Sequence, residues 1–143
     1  MSKKSEKPVE EWTDEEIECF VFVEGLGLEL DYGTDPIIYD EEDAVAYKFT
    51  PLTCAGDWIK LIDAMADKGW VGTLKKYVCG GGYRGSMMRI EENLEHWDNW
   101  IFVHQDTVPG RAICIAAAKA LLEIKKCIKH LWIRSVLIFK QKL

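Results

Sequence analysis

Two hydrophobic periods alternate along this chain, and the places where one gives way to the other outline its fold. From Trp70 to Val78 and from Tyr83 to Ile90 the residues favour extended chain, separated by Gly80-Gly81-Gly82, and a third extended run follows at about Trp97 to His104. Runs of this length joined by short connections predict an antiparallel meander. The period then becomes helical: Ile113, Ala116, Ala117, Ala120, Leu121, Ile124 and Ile128 form a stripe, while Lys119, Glu123 and Lys126 lie off it. This predicts a helix over about 109–126 whose small alanines let it lie close on the sheet. Thr107 is the expected N-cap, and Pro109 suits the first turn, where its missing N–H removes nothing. Past Lys129 the run Leu131 to Phe139 is dense in β-branched and aromatic residues, which leaves a continued helix and an added strand both open.

The first half of the chain is less regular. Thr13 followed by Glu16 is a capping box, with Asp14 and Glu15 adding negative charge to the first turn, so a helix is expected over about 14–24, ended by Gly25 and Gly27. Asp31 to Asp43 reads as an acidic, irregular linker, and Ala44 to Phe49 as a short strand or an extended lead-in. Pro51 and Thr53 introduce a second helix with Ala55, Trp58, Ile59, Ile62, Met65 and Ala66 on its apolar stripe and Gly69 as its stop. The expected class is α+β: an antiparallel sheet of three to four strands packed with helices. Residues 1–12 are expected to be disordered, 13–126 to form one domain, and 127–143 to be a basic, apolar tail that is docked or interfacial.

Composition agrees with one domain and narrows its role. The chain has 143 residues, 48% hydrophobic, which suffices for one core. The formal net charge is −6, from 18 basic and 24 acidic residues. Six of the basic residues and none of the acidic ones follow Glu123, so residues 1–123 carry 12 basic against 24 acidic, a net of −12. An acidic body argues against general nucleic-acid binding, which needs clustered Lys and Arg. Cys19, Cys54, Cys79, Cys114 and Cys127 show no metal or redox spacing and read as reduced thiols, with Cys19 and Cys114 as small core hydrophobes. The polar start is no signal peptide, and no run is long enough to span a bilayer. A soluble protein of the cytoplasm is the expectation.

The order of these elements carries a resemblance. A helix, an acidic linker and a helix opened by Pro51-Leu52-Thr53 precede the antiparallel strands. Trp100-Ile101-Phe102-Val103 then leads through Asp106-Thr107-Val108-Pro109 into Ala112-Ile113-Cys114-Ile115-Ala116-Ala117. Over about residues 24–124 this resembles the phage ABA sandwich domain family, small proteins of phages and prophages with α/β/α-type layering. Leu28 stands where that family has Arg in an early Arg-Glu-Leu-Asp-like element, Gly110-Arg111 where an apolar residue is usual, and the tail beyond Lys125 is not required by the pattern. The resemblance implies a viral accessory context in a bacterial host cell and brings no catalytic residues.

The residues themselves offer few reactive constellations. Gly80 to Ser86 has glycines beside Lys75, Lys76, Arg84 and Arg89, but it lacks a Gly-Lys-Ser/Thr ending and leads into a strand rather than a helix, so it reads as a hairpin loop with anion contact as the alternative. His96, His104 and the acids Glu91 to Asp98 and Asp106 lack the spacing of a known zinc motif, and Ser86 lacks a nucleophile elbow. Trp58, Trp70 and Trp100 fall on core-facing elements; Trp12, Trp97 and Trp132 fall at element ends or in the tail.

We therefore expect no catalytic residue, no metal ligand and no cofactor. The expected role is that of a non-enzymatic accessory protein binding a host protein or complex, as in inhibition of a bacterial defence system. The alternative is a protein that sequesters a small nucleotide-like anion through Lys75, Lys76, Arg84, Arg89 and Arg111. Trp132, Ile133, Leu137 and Phe139 are the expected interface residues, for a partner or a homo-oligomer, with a membrane surface ranked lower because its anionic lipid would meet the acidic body.

Overall fold

A computed structural model describes residues 7–30, 35–40, 42, 44–77, 80–89 and 101–142, with side chains as far as residue 126. The capping box forms as the sequence predicts. Glu16 N–H donates to Thr13 Oγ1 and Thr13 N–H to Glu16 Oε1, both at 3.2 Å, and open helix α1, Asp14–Phe20. It runs into a wider turn of π geometry over Val21–Gly25. Before it, Val9–Glu11 is a short 3-10 turn. Val9 and Trp12 are in the core, and Trp12 meets Phe20 edge-on at 5.1 Å between ring centroids. The expectation of disorder thus fails for residues 9–12, and Trp12 is a core residue rather than one of an exposed end; the first six residues lie outside the described ones.

The acidic linker contains a strand that the sequence reading missed. Ile37–Asp40 (β1) pairs antiparallel with Val45–Lys48 (β2), Ile37 opposite Lys48. Its apolar run is only Ile37-Ile38-Tyr39 and is flanked by acids, too short to show a period; pairing with β2 defines it. Phe49 N–H extends the pairing by donating to Pro36 O at 2.8 Å, and the buried Phe49 ring lies 5.7 Å from Phe22.

Helix α2, Ala55–Asp67, begins two residues beyond Thr53, with Cys54 at its N-cap. Its buried side is Asp57, Leu61 and Met65, flanked by Trp58 and Ile62, whereas Ala55, Ile59 and Ala66 are exposed. The stripe is rotated from the expected one because Asp57 turns inward: its carboxylate accepts from Thr50 N–H at 2.8 Å. That bond ties the loop before α2 to the helix and satisfies a carboxylate which would otherwise be costly to bury.

Trp70–Lys76 (β3), Tyr83–Arg89 (β4) and Ile101–Asp106 (β5) form the expected meander in the order β3-β4-β5. The chain is thus α+β, with a three-stranded antiparallel sheet packed with helices. Parity along the pleat separates its faces. Trp70, Gly72, Gly85, Met87 and Phe102 share the inner face, where added Cβ atoms at Gly72 and Gly85 would meet Ile62 of α2 and Ala112 of the last helix. Both helices therefore lie on one face. Among the described residues the layers run sheet, then α2 with the last helix, then α1; the two-sided α/β/α layering implied by the resemblance needs a helix on the other face, and none of the described ones lies there.

The last helix, α3, spans Pro109–Lys142, which settles the ambiguous tail as helix. Val108 rather than Thr107 precedes it, its carbonyl accepting from Ala112 N–H at 3.0 Å. Every residue from Ala112 to Ala118 is fully buried, including the off-stripe Cys114, Ile115 and Ala118. The expected one-sided stripe is too narrow because α3 is covered twice, by the sheet below and by α1 with its π turn above. Leu121 belongs to that second contact, lying near Gly25. Gly110, in place of the apolar residue usual in the resembled family, sits where a Cβ would come within 2.7 Å of the Leu52 carbonyl carbon, so the loop before α2 rests on the start of α3. Among the described residues no helix is long and apolar enough to cross a membrane.

Candidate functional site

The five cations singled out in the sequence do not converge. Lys75 and Arg84 are directly opposite one another across β3 and β4 on the outer face of the sheet. Lys76, one residue on, falls on the inner parity and sits over the Tyr83 ring at 5.9 Å. Arg89 is at the far end of β4, across from Trp70. Arg111 is on the helix side, where its Nε lies 3.0 Å from Asp106 Oδ2 and its Nη1 donates to Asp14 Oδ1 at 2.7 Å. A one-residue step along a strand reverses the face, which is why neighbours in sequence part company here.

The outer face has three rows. Val71, Met88 and Ile101 form an apolar row, with Ile101 41% exposed. Thr73, Ser86 and Val103 form the middle row, in which the Thr73 and Ser86 hydroxyls hydrogen-bond to each other. Lys75, Arg84 and Gln105 form the third, all exposed. No position in these rows is acidic, although 24 of the 143 residues are Asp or Glu. Neither Lys75 nor Arg84 has an ion-pair partner among the described residues. Like charges directly opposite on a sheet repel, so this row gains from an anion placed on it. The sequence reading found the two cations and missed Thr73, Gln105 and the apolar row; the alternation Val71, Thr73, Lys75 was the signal that places them on one face.

The glycine run has a packing role. Gly82 has φ +78°, and a Cβ there would lie 2.5 Å from the Asp106 carbonyl oxygen. Gln105 Nε2 donates to Gly81 O at 2.8 Å. The hairpin end is thus held against β5. Gly81 thus turns its carbonyl to Gln105 of the neighbouring strand.

His104 and Asp106, weighed in the sequence as an acid/base or metal pair, belong to a network on the inner side. His104 Nε2 is 3.1 Å from Asp106 Oδ2, Val108 N–H donates to Asp106 Oδ1 at 3.1 Å, and Arg111 completes the carboxylate's surroundings. Lys119 pairs with Glu10 and donates to Val103 O at 3.1 Å, on the edge strand β5. The network ties the N-terminal turn, β5 and α3 together. Among the described residues no group of three His, Cys, Asp or Glu could hold a metal ion. Glu91 to Asp98, His96, Trp97 and Trp100 lie outside the described residues. Burial pushes the thiols of Cys114 and Cys19 up, and so does Glu18 nearby; a nucleophilic cysteine needs the opposite shift.

The network makes stability depend on acid. Burial pushes the Asp106 carboxyl up, but the Val108 N–H, His104 and Arg111 outweigh it and hold it below its ordinary value. Glu10 is lowered mainly by its bond to Lys119, against a smaller effect of burial. A carboxylate with a depressed folded-state pKa contributes stability that is present above the unfolded value, near about 4, and lost as the pH falls through the folded one. Glu18 has the opposite sign, since burial raises it. The melting temperature is expected to drop between about pH 5 and pH 3, and Asp106→Asn to drop less steeply over that range. An identical slope in the two proteins would remove this network as the cause.

Comparisons with protein-family models, with curated proteins and with solved structures return no match.

Proposed function

We propose that this chain is a non-enzymatic binding protein that docks a partner protein on the outer face of β3-β4-β5. The carrying observation is the Lys75–Arg84 row, unpaired among the described residues and free of acids, on the same face as an apolar row from which the Thr73–Ser86–Val103 row separates it. A partner carboxylate would relieve the repulsion between the two cations, while apolar side chains on Val71, Met88 and Ile101 would supply contact energy. In the phage or prophage context that the resemblance implies, the partner is a host protein or complex, and occupying its surface blocks it, as an inhibitor of a defence system would. A small nucleotide-like anion is the weaker reading. Two side chains on a flat sheet do not enclose such a ligand, and small-molecule sites are concave.

The test pairs two exposed substitutions, Arg84→Glu and Ile101→Asp, with an unchanged melting temperature as the check on folding. A host protein that binds the purified wild type directly should lose roughly tenfold or more in affinity with either variant. Binding that ignores both substitutions would move the interface elsewhere. Calorimetric heat from a mononucleotide, abolished by Arg84→Ala, would favour the small-anion reading instead.

A further inference from the structure

The sheet β3-β4-β5 has two edges, and its register shows which backbone groups each edge presents. Tyr77 N–H donates to Gly82 O at 3.0 Å and extends the β3–β4 ladder by a pair whose residues bond to each other. Such pairs alternate along an antiparallel ladder. Val71, Thr73 and Lys75 therefore direct their N–H and C=O groups to β4, and those of Gly72, Leu74 and Lys76 point away from the sheet. The same alternation carried across β4 turns the Val103 groups outward from β5, where Lys119 Nζ donates to Val103 O at 3.1 Å. The β5 edge is thus engaged by a side chain of α3. On the β3 edge, no hydrogen bond joins the outward backbone groups of Gly72, Leu74 and Lys76 to another described residue.

Three features fit this edge to a further strand. Gly72, in its middle, has no side chain to hold another backbone off, and glycine inside a strand marks a place where a second backbone comes close. On the inner side α2 flanks the edge: Ile62 reaches the space beside Gly72, and Ile59, one turn earlier on the same side of the helix, is 47% exposed. On the outer side Lys75 brings the row it forms with Arg84 and Gln105 to the edge. β3 and β4 carry Lys75, Lys76, Arg84 and Arg89 and no Asp or Glu. Lysine on an edge strand disfavours pairing with other chains in general, and a carboxylate at the facing position replaces that penalty with attraction.

We propose that the partner protein engages this chain by adding an extended, acidic segment to the edge of β3 as a fourth, antiparallel strand. Its backbone bonds to the outward groups of Gly72 and Leu74, and an Asp or Glu facing Lys75 extends the Lys75–Arg84 row on the outer face. The next side chain along the segment turns to the inner side, beside Ile59 and Ile62. The inference rests on the reading of the Lys75–Arg84 row as a partner-binding surface and states how the partner meets it.

Amide hydrogen exchange of the full chain, read by NMR, tests the edge first: the Val71, Thr73 and Lys75 amides should be protected, and those of Gly72 and Leu74 should exchange rapidly. The probe is the capped peptide Ser-Glu-Val-Thr-Leu-Ile-Thr, whose Glu faces Lys75 and whose Val and Leu face Leu74 and Gly72 in the antiparallel register. Its binding should protect the Gly72 and Leu74 amides. N-methylation of that Val or Leu should weaken binding roughly tenfold, whereas N-methylation of the central Thr, whose N–H points away from β3, should leave it unchanged. Lys75→Glu should weaken binding by a similar factor, and a peptide with Lys in place of its Glu should restore it, which also shows that the variant folds. Gly72 and Leu74 amides already protected in the dilute free chain overturn the proposal, since the chain then covers its own edge. Protection that grows with protein concentration alone overturns it too and assigns the edge to a second copy, as does the failure of the peptide to bind at millimolar concentration. Binding that responds to Lys75→Glu but not to N-methylation overturns strand addition and leaves the outer-face reading in place; binding that responds to N-methylation but not to Lys75→Glu overturns the charge pairing on which both readings stand.

Discussion

Replacing Gly85 by alanine is expected to destabilise this protein by about 3 kcal/mol, lowering its melting temperature by roughly 10 °C. Gly85 is on β4 where the first turn of α3 crosses the sheet, and an added Cβ would lie within 2.7 Å of Ile113 N and closer still to the Ala112 carbonyl. These are backbone atoms of a fully buried turn, so no side chain can rotate away and the helix must lift from the strand. A chemically identical change serves as the control. Gly56, in the first turn of α2, has only Cys54 Sγ at 3.9 Å from its would-be Cβ. Gly56→Ala should therefore be neutral or stabilising by up to about 1 kcal/mol, through helix propensity alone. Thermal melts in which the two variants behave alike would show that α3 does not press on β4 at this point.

Ala117→Glu should have the largest effect of any single change considered, preventing cooperative folding or costing about 4 kcal/mol or more. Ala117 is fully buried in the middle of the run from Ala112 to Ala118 that is covered from both sides. A carboxylate there has neither solvent nor a described cation to meet, and its bulk must be fitted between layers already in contact. Ala117→Ser, nearly the same size and able to bond to the carbonyl one turn back, should cost far less. Circular dichroism with urea titration distinguishes them; an Ala117→Glu protein unfolding at the wild-type midpoint would mean that α3 has an open side at this position.

The pH slope tied to Asp106 shows where reading a sequence for chemistry stops. Arg111 and Asp106 were both visible as candidate groups, one for an anion and one for an acid/base pair. Their meeting is local, five residues apart, but Asp14 arrives from 97 residues away. Only the packing of α1 on α3 makes that contact. Likewise Lys75 and Lys76 are indistinguishable as letters, yet the register of β3 on β4 pairs one with Arg84 outside and sets the other over Tyr83.

What the sequence determined by itself is therefore what depends on near neighbours. The Thr13–Glu16 box, the three extended runs around the glycine hairpin and the start of α3 near Pro109 each rest on interactions within a few residues, and periodicity or capping chemistry records those directly. Tertiary structure decided the rest. It made a strand of Ile37–Asp40 by supplying β2, rotated the buried side of α2 by turning Asp57 toward Thr50, and covered α3 on two sides where its pattern had called for one. The physical reason is common to all three. Burial and strand pairing are properties of what lies opposite, and in a chain where alanine is buried on every side of a helix, hydrophobic pattern alone cannot count how many surfaces will press against it.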